Sequence, residues 1–215
     1  MQNFFDQCDF CELTEEQLSQ SGSFLCKDKD IDKFFNEEFA DYSHQLLGKS
    51  YCFVEQSNQR IVCAFTVANS CIKVDALPNK KRNKINRKIP NEKRRPQYPA
   101  VLVGQLAVHQ DYKGKHIGNE LMDFIKSWFI DPLNKTGCRY VIVDAINNKK
   151  VIDYYKDNGF NFIFGSDEEE MKYLQHEKTQ SALQKILHPF HKKTTESKIR
   201  TRLMFFDLIL LSTKN

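Results

Sequence analysis

Apolar positions along the chain follow two periods, and the change from one to the other marks out the elements. Phe10 to Leu13 is a short apolar run that predicts a strand, and Thr14-x-x-Gln17 behind it has the spacing of a capping box, which predicts a short helix. After Asp30, Ile31, Phe34, Phe35, Phe39 and Tyr42 recur at near-helical spacing. Tyr51 to Glu55 and Arg60 to Val74 are rich in Val, Ile, Phe and Cys and predict two strands, with Ser57-Asn58 at the turn between them. The next stretch holds Pro78, Pro90, Pro96 and Pro99 and predicts a loop.

Val101 to Val108 (VLVGQLAV) is an apolar run of strand length that stops where the sequence turns polar. Ile117, Leu121, Phe124, Ile125 and Trp128 then mark one face of a helix, which Pro132 and Gly137 close. Arg139 to Ala145 predicts a buried strand. Asn148 can cap a helix that runs to Asn158 and stops at Gly159, and a strand from Phe160 to Phe164 follows. Ser166-x-x-Glu169 is a second capping box, opening a helical insertion at about 166–190, and Leu203 to Leu211 predicts the last strand. Strands first, then strand-helix-strand-helix-strand, then one terminal strand imply an α/β chain with a mixed sheet and helices on its faces. With 215 residues, one domain and a single core are expected.

Composition narrows the class. With 40% apolar and 28% charged residues the chain is neither disordered nor a membrane protein by composition. No run of about 18 apolar residues occurs, and MQNFFDQCDF has no charged-then-apolar leader, so a cytoplasmic location away from the membrane is expected. Seven cysteines are an odd number, which favours reduced thiols. Cys8-x-x-Cys11 and His188-x-x-His191 stand at opposite ends of the chain without finger spacing, so no metal site is expected. The net charge of +4 is unevenly spread. Residues 79–95 hold nine Lys or Arg against Glu92 alone, a local charge of +8 that leaves the rest of the chain at −4. A lysine-rich run is often only solvated, but one this dense in an acidic body is also how a phosphate backbone is attracted.

Candidate chemistry sits between Val108 and Ile117. A phosphate-bearing ligand needs main-chain N–H groups that converge on it, and a helix N-terminus offers unpaired ones with a favourable dipole. Gly114 and Gly118 remove side chains where a ligand must come close, and Lys113 and Lys115 add positive charge. Neither G-x-x-x-x-G-K-[ST] nor G-x-G-x-x-G occurs, so triphosphate and dinucleotide readings have no motif.

Lys113-Gly114-Lys115-His116-Ile117-Gly118, preceded by Leu106-Ala107-Val108, resembles the Q/R-x-x-G-x-G/A signature of the GCN5-related N-acetyltransferases, the GNAT family. Asn148 with Tyr155-Lys156-Asp157-Asn158-Gly159-Phe160 resembles the family's N-x-x-A-x-x-x-Y-x-x-x-G-F. Lys113 stands at the Q/R position, His116 replaces the middle glycine, and Val151 stands where Ala is usual. The resemblance implies the GNAT fold, a central mixed β-sheet with a splayed parallel strand pair and helices on both faces. It implies acetyl-CoA as cofactor, held by Leu106, Ala107, Val108, Lys113, Gly114, Lys115, His116, Ile117, Gly118, Asn119, Asn148 and Tyr155. It also implies Tyr155 as the catalytic group that protonates or hydrogen-bonds the departing sulfur. No residue is marked as the base, since Gln105 and Ala107 are not carboxylates and only His109 stands nearby.

Arg94-Arg95-Pro96-Gln97-Tyr98-Pro99, running into Leu102-Val103-Gly104-Gln105-Leu106-Ala107-Val108, looks closest to one branch, the aminoacyl-tRNA-acetylating toxins of toxin-antitoxin pairs. Phe24-Leu25-Cys26 with Ile31-Asp32-Lys33-Phe34-Phe35 resembles it too, whereas Gln105 departs from its usual Arg. That branch implies an aminoacyl-tRNA as amine acceptor, an antitoxin protein and a homodimer as partners, and Lys80, Lys81, Arg82, Arg94 and Arg95 as the RNA-binding cations. The other expectations are acetylation of a small-molecule or protein amine, and a non-catalytic module that binds coenzyme A or nucleic acid.

Overall fold

The computed structural model describes residues 4–182 and 199–212. Its strands are β1 (Cys8–Glu12), β2 (Lys49–Glu55), β3 (Ile61–Lys73), β4 (Gln97–Val108), β5 (Tyr140–Ile146), β6 (Asn161–Phe162) and β7 (Thr201–Asp207). The helices are α1 (Glu15–Ser21), α2 (Lys29–Lys33), α3 (Phe39–His44), α4 (Asn79–Asn86), α5 (Ile117–Ile130), α6 (Lys149–Asp157), α7 (Asp167–Ala182) and α8 (Ile209–Ser212). Hydrogen bonding orders the strands β1-β2-β3-β4-β5-β7-β6, a mixed sheet, mostly antiparallel with a parallel pair, flanked by helices. The residues group into two compact units, Met1–Ser70 with Pro99–Val141 and Asp207–Asn215, and Cys71–Tyr98 with Ile142–Phe206.

In the first unit β1, β2 and β3 form an antiparallel meander, with Cys11 opposite Cys52 and Cys52 opposite Ala64. The capping box expected at Thr14 is present: the Gln17 N–H donates to Thr14 Oγ1 at 3.2 Å and the Thr14 N–H to Gln17 Oε1 at 2.8 Å. The helix expected after Asp30 begins one residue earlier, and Asp28 caps it by accepting from the N–H groups of Asp30 and Ile31. It contains a π turn at Phe34–Glu38 before α3. The extra residue in that turn brings Phe34, Phe35 and Phe39 together into a core with Leu13, Phe24 and Val54. Helix α5 buries Ile117, Leu121, Met122, Ile125 and Phe129, while Phe124 and Trp128 meet Phe10 at ring-centroid distances of 4.7 and 5.2 Å.

Two expectations of element type are corrected. The basic loop at 76–99 contains a helix, α4, because its prolines flank the helical turns instead of interrupting them: Pro78 stands just before Asn79, and Pro90 comes after the last turn. Ile85 and Ile89, four apart, are buried, so the segment has an inward face that its density of cations conceals in the sequence. The terminal strand ends at Asp207 and not at Leu211. There the Leu208 N–H donates to the Arg139 carbonyl at 3.1 Å, Asp207 ion-pairs with Arg139 at 2.7 Å, and its Oδ1 accepts from Ile209 N at 3.3 Å, so the chain turns into α8.

In the second unit β6 and β7 pair antiparallel, Asn161 with Phe205 and Phe162 with Met204. Helix α7 falls in the stretch expected to be helical, and the part of that stretch from 183 to 190 lies outside the described residues. Arg202 ties α7 to β7. Its Nε donates to Glu170 Oε2 at 2.7 Å, a second nitrogen bonds Asp167, and Glu170 Oε1 accepts from Leu203 N at 2.6 Å.

Candidate active site

The loop from β4 to α5 is fixed on its inner side before any ligand is considered. The His109 N–H donates to the Val62 carbonyl at 2.8 Å and the Gln110 N–H to the Leu25 carbonyl at 2.7 Å. Asp111 pairs with Arg60 at 2.8 Å, and the buried Tyr112 donates its hydroxyl to Glu55 at 2.6 Å. Lys113, at the Q/R position of the signature, donates its ammonium to the Cys26 carbonyl. Lys115 lies over the rings of Tyr112 and Phe4, at 5.4 and 5.8 Å from their centroids. Both loop lysines therefore anchor the loop as well as charging it. Leu25, Cys26, Glu55 and Tyr112 had gone unnoticed as parts of this site. Leu25 and Cys26 stood in the sequence only as part of the branch resemblance, and Tyr112 is an aromatic in an otherwise polar loop.

Beyond these anchors the backbone turns sharply. Gly114 has φ +84° and His116 has φ +60°, left-handed conformations two residues apart, and His116 then stands at the N-cap of α5. A β-carbon at Gly114 would find no atom within 4 Å, so this part of the loop faces open space. The N–H groups of Asn119 and Glu120 return to the His116 carbonyl, at 2.9 and 3.3 Å, and start the helix. Left-handed turns ahead of a helix N-terminus aim successive amides to one side and add the positive end of the helix dipole. This donor set fits a diphosphate: main-chain N–H groups, two glycines and a positive surround. Ala107 is buried, while Leu106 and Val108 on either side of it are half-buried.

His109, the nearest candidate for a base, is a packed residue. It is 5% exposed, its Nδ1 accepts from the Asp111 N–H at 3.3 Å, and its ring packs on Phe24 at 5.7 Å. Burial holds its pKa below the ordinary value.

Asn148 and Tyr155 belong to the second unit. Asn148 Oδ1 caps α6, accepting from Val151 N at 2.9 Å. Tyr155, two turns on, is 8% exposed, with its ring 5.1 Å from that of Tyr154 and 5.4 Å from that of Phe160. Burial pushes its pKa up to about 12, so the phenol keeps its proton at any physiological pH. Gly159 takes φ +83° where the helix stops, and a β-carbon there would stand 3.0 Å from the Phe206 ring, so glycine serves both the turn and the close packing.

The RNA-binding candidates all lie in the second unit as well. Lys80, Arg94 and Arg95 are exposed. Arg82 is committed to structure: its guanidinium donates to the carbonyls of Val74 at 3.2 Å, Asp75 at 2.9 Å and Leu77 at 3.3 Å. Lys81 is half-buried, its ammonium 3.4 Å from where a β-carbon on Gly165 would stand. Lys84 on α4 and Arg87 and Lys88 just after it are exposed like Lys80 and were not singled out from the sequence. Among the described residues none of these four pairs with a carboxylate. No described group of three or more His, Cys, Asp or Glu gathers as metal ligands, and His188 and His191 lie outside the described residues. No described helix is long and apolar enough to cross a membrane.

The family model for the acetyltransferase (GNAT) domain matches residues 49–162, from the start of β2 to the end of β6 and more than half of the chain. The chain therefore belongs to the GNAT acetyltransferases, enzymes that take acetyl-CoA as cofactor. AtaT, solved in complex with acetyl-methionyl-tRNAfMet, is 17% identical over 96% of this chain and 98% of its own, with a TM-score of 0.62. AtaTR bound with AcCoA is 16% identical over 97% and 98%, with a TM-score of 0.56. A variant of the AtaT toxin bound to the C-terminus of the antitoxin AtaR is 14% identical over 97% and 98%, with a TM-score of 0.56. At such identities the likeness is one of fold. No curated protein sequence matches the chain.

Proposed function

We propose that this acetyltransferase moves the acetyl group of acetyl-CoA to the α-amino group of an aminoacyl-tRNA. The observation that carries the reading is the set Lys80 and Lys84 on α4 with Arg87 and Lys88 just after it, four exposed cations without carboxylate partners among the described residues. Unpaired surface cations attract a phosphate backbone and release its counterions on contact. The likeness of fold to a protein solved with acetyl-methionyl-tRNAfMet points the same way.

The loop Lys113 to Asn119 would hold the cofactor's diphosphate through main-chain amides between its two ends, whose own N–H groups return to the Gln110 and His116 carbonyls, with Leu106 to Val108 and Asn148 as further contacts. Bound acetyl-CoA supplies an acyl thioester. Tyr155, neutral because burial raises its pKa to about 12, would serve as hydrogen-bond donor to the thioester sulfur when acetyl-CoA is bound. Its proton would go to the leaving sulfur and be replaced from solvent, while the attacking nitrogen would lose its own proton to water. The missing base is consistent with the acceptor. A lysine amine has a pKa of about 10.4 and needs one at neutral pH, whereas an α-amino group, at about 7.7–8.0, is already partly neutral.

A second reading rests on a groove of about 450 Å³ in the first unit, lined by Glu15, Glu37, Ser19, Ser23, Leu18 and Phe39 among others. Two carboxylates without a cation suit a small cationic amine as acceptor. Incubation with labelled acetyl-CoA and separate pools of charged tRNA, peptides and polyamines decides between the two. Label in charged tRNA alone supports the first reading, and label in polyamines alone replaces it with the second. On the first reading the chain is also held by an antitoxin protein and works as a homodimer. Light scattering of the purified chain, alone and co-expressed with its genomic neighbour, tests both.

A further inference from the structure

Residues 74–98 form a small folded module inside the second unit. Their two ends are joined where the N–H groups of Val74 and Asp75 donate to the Pro96 carbonyl, at 2.8 and 3.2 Å. Leu77, Ile85, Ile89 and Tyr98 are buried at 4, 6, 9 and 6% exposure, which holds the segment inward on the side away from its cations. Arg82 pins the start of the module through three carbonyls. At the other end one atom holds two pieces: the Tyr98 hydroxyl donates to Asn86 Oδ1 at 2.8 Å, at the last residue of α4, and accepts from the Arg95 N–H at 3.2 Å.

We infer that Tyr98 is a positioning residue for RNA recognition, fixing Lys80, Lys84, Arg87 and Lys88 relative to Arg94 and Arg95 before any RNA arrives. This rests on the aminoacyl-tRNA reading and extends it from charge to geometry. On a floppy segment, long side chains and backbone would have to be ordered on binding, at a cost in affinity. A pinned module has met that cost on folding. The Tyr98 phenol is buried and carries no charge, so it adds nothing to counterion release. Its effect therefore separates from that of the cations in a salt titration.

The test measures the Kd of the full chain for a charged tRNA across a salt series. Tyr98→Phe should weaken binding about five-fold at every salt concentration, the scale set by losing one to two hydrogen bonds. The slope of log K against log salt should stay as in the wild type. Amide exchange across 79–96 should quicken, and the calorimetric affinity for acetyl-CoA should not move. Asn86→Ala removes one of the two bonds and leaves the Arg95 N–H on the hydroxyl, so it should give part of the loss, and the double variant should lose no more than Tyr98→Phe alone. Wild-type tRNA affinity in both variants overturns the inference, and so does a flattened slope in Tyr98→Phe, which would make the phenol a direct phosphate contact. A wild-type chain that binds no tRNA at all sinks the underlying reading first. Faster exchange in Tyr98→Phe would then leave the residue a structural pin only.

Discussion

At His116 the signature loop carries a left-handed backbone angle on a residue other than glycine. His116 occupies the middle glycine's place and takes φ +60°, a conformation that costs an ordinary residue about 1–2 kcal/mol and that His adopts more readily than most. The strain was not legible in the sequence, because the residue type alone does not give the sign of φ. His116→Gly should relieve it, net of the added freedom of the unfolded chain, and raise stability by about 0.5–1 kcal/mol. Urea denaturation measures the gain, and an unchanged coenzyme A affinity would confirm that the loop binds through its main chain. At Tyr155 the motif gave the residue and the structure gives its protonation. Tyr155→Phe should lower turnover while leaving cofactor affinity close to wild type, as steady-state kinetics and calorimetry would record. Burial raises the folded pKa from 10 to about 12, so the stability tied to the neutral phenol is complete below pH 10 and is lost as pH rises through 12. Melting temperatures should therefore run parallel in the two proteins at neutral pH, and the wild type should fall more steeply above pH 10.

Elements were read best where one periodicity ran without competition. The strands around Val108 and Ala145 and the helix capped by Asn148 stand within a few residues of their expected bounds. The helix within 76–99 was hidden by its prolines, which here bracket α4, and the π turn at Phe34–Glu38 departs from any regular spacing. The roles of the cations were not legible, since Arg82 and Lys84 look alike in sequence while one bonds three carbonyls and the other points outward. Neutralising Lys80, Lys84 and Arg87 together to Gln should flatten the salt dependence of tRNA binding by roughly two units, at about 0.7–0.9 per lost phosphate contact. Arg82→Gln should instead loosen the module, visible as faster amide exchange. Helix α7 hangs on Glu170, both of whose carboxylate oxygens are used by Arg202 and Leu203 N. Glu170→Gln leaves the Arg202 guanidinium with Asp167 as its remaining counter-charge and should lower stability by about 1–2 kcal/mol, measured by urea denaturation.

For the molecule as a whole, charge and motif carried most of the information. A cluster of +8 in a body of −4 marked the module that the structure folds around Tyr98, and two spaced motifs marked the family that the domain match then established. What the sequence left open was contact at long range: Lys113 with the Cys26 carbonyl, Glu55 with Tyr112, and Arg202 with Glu170 join residues 87, 57 and 32 apart. The division into two units was equally hidden, because β3, β4 and β5 each pass from one to the other. The identity of the acceptor is the claim on which the rest converges. Its most direct test is to incubate the pure chain with labelled acetyl-CoA and charged tRNA, release the amino acid by mild base, and identify it by mass. The account predicts N-acetylated amino acid from charged tRNA and none from the free amino acid. Unmodified amino acid, with acetyl-CoA intact or consumed only when a small amine is added, would contradict it.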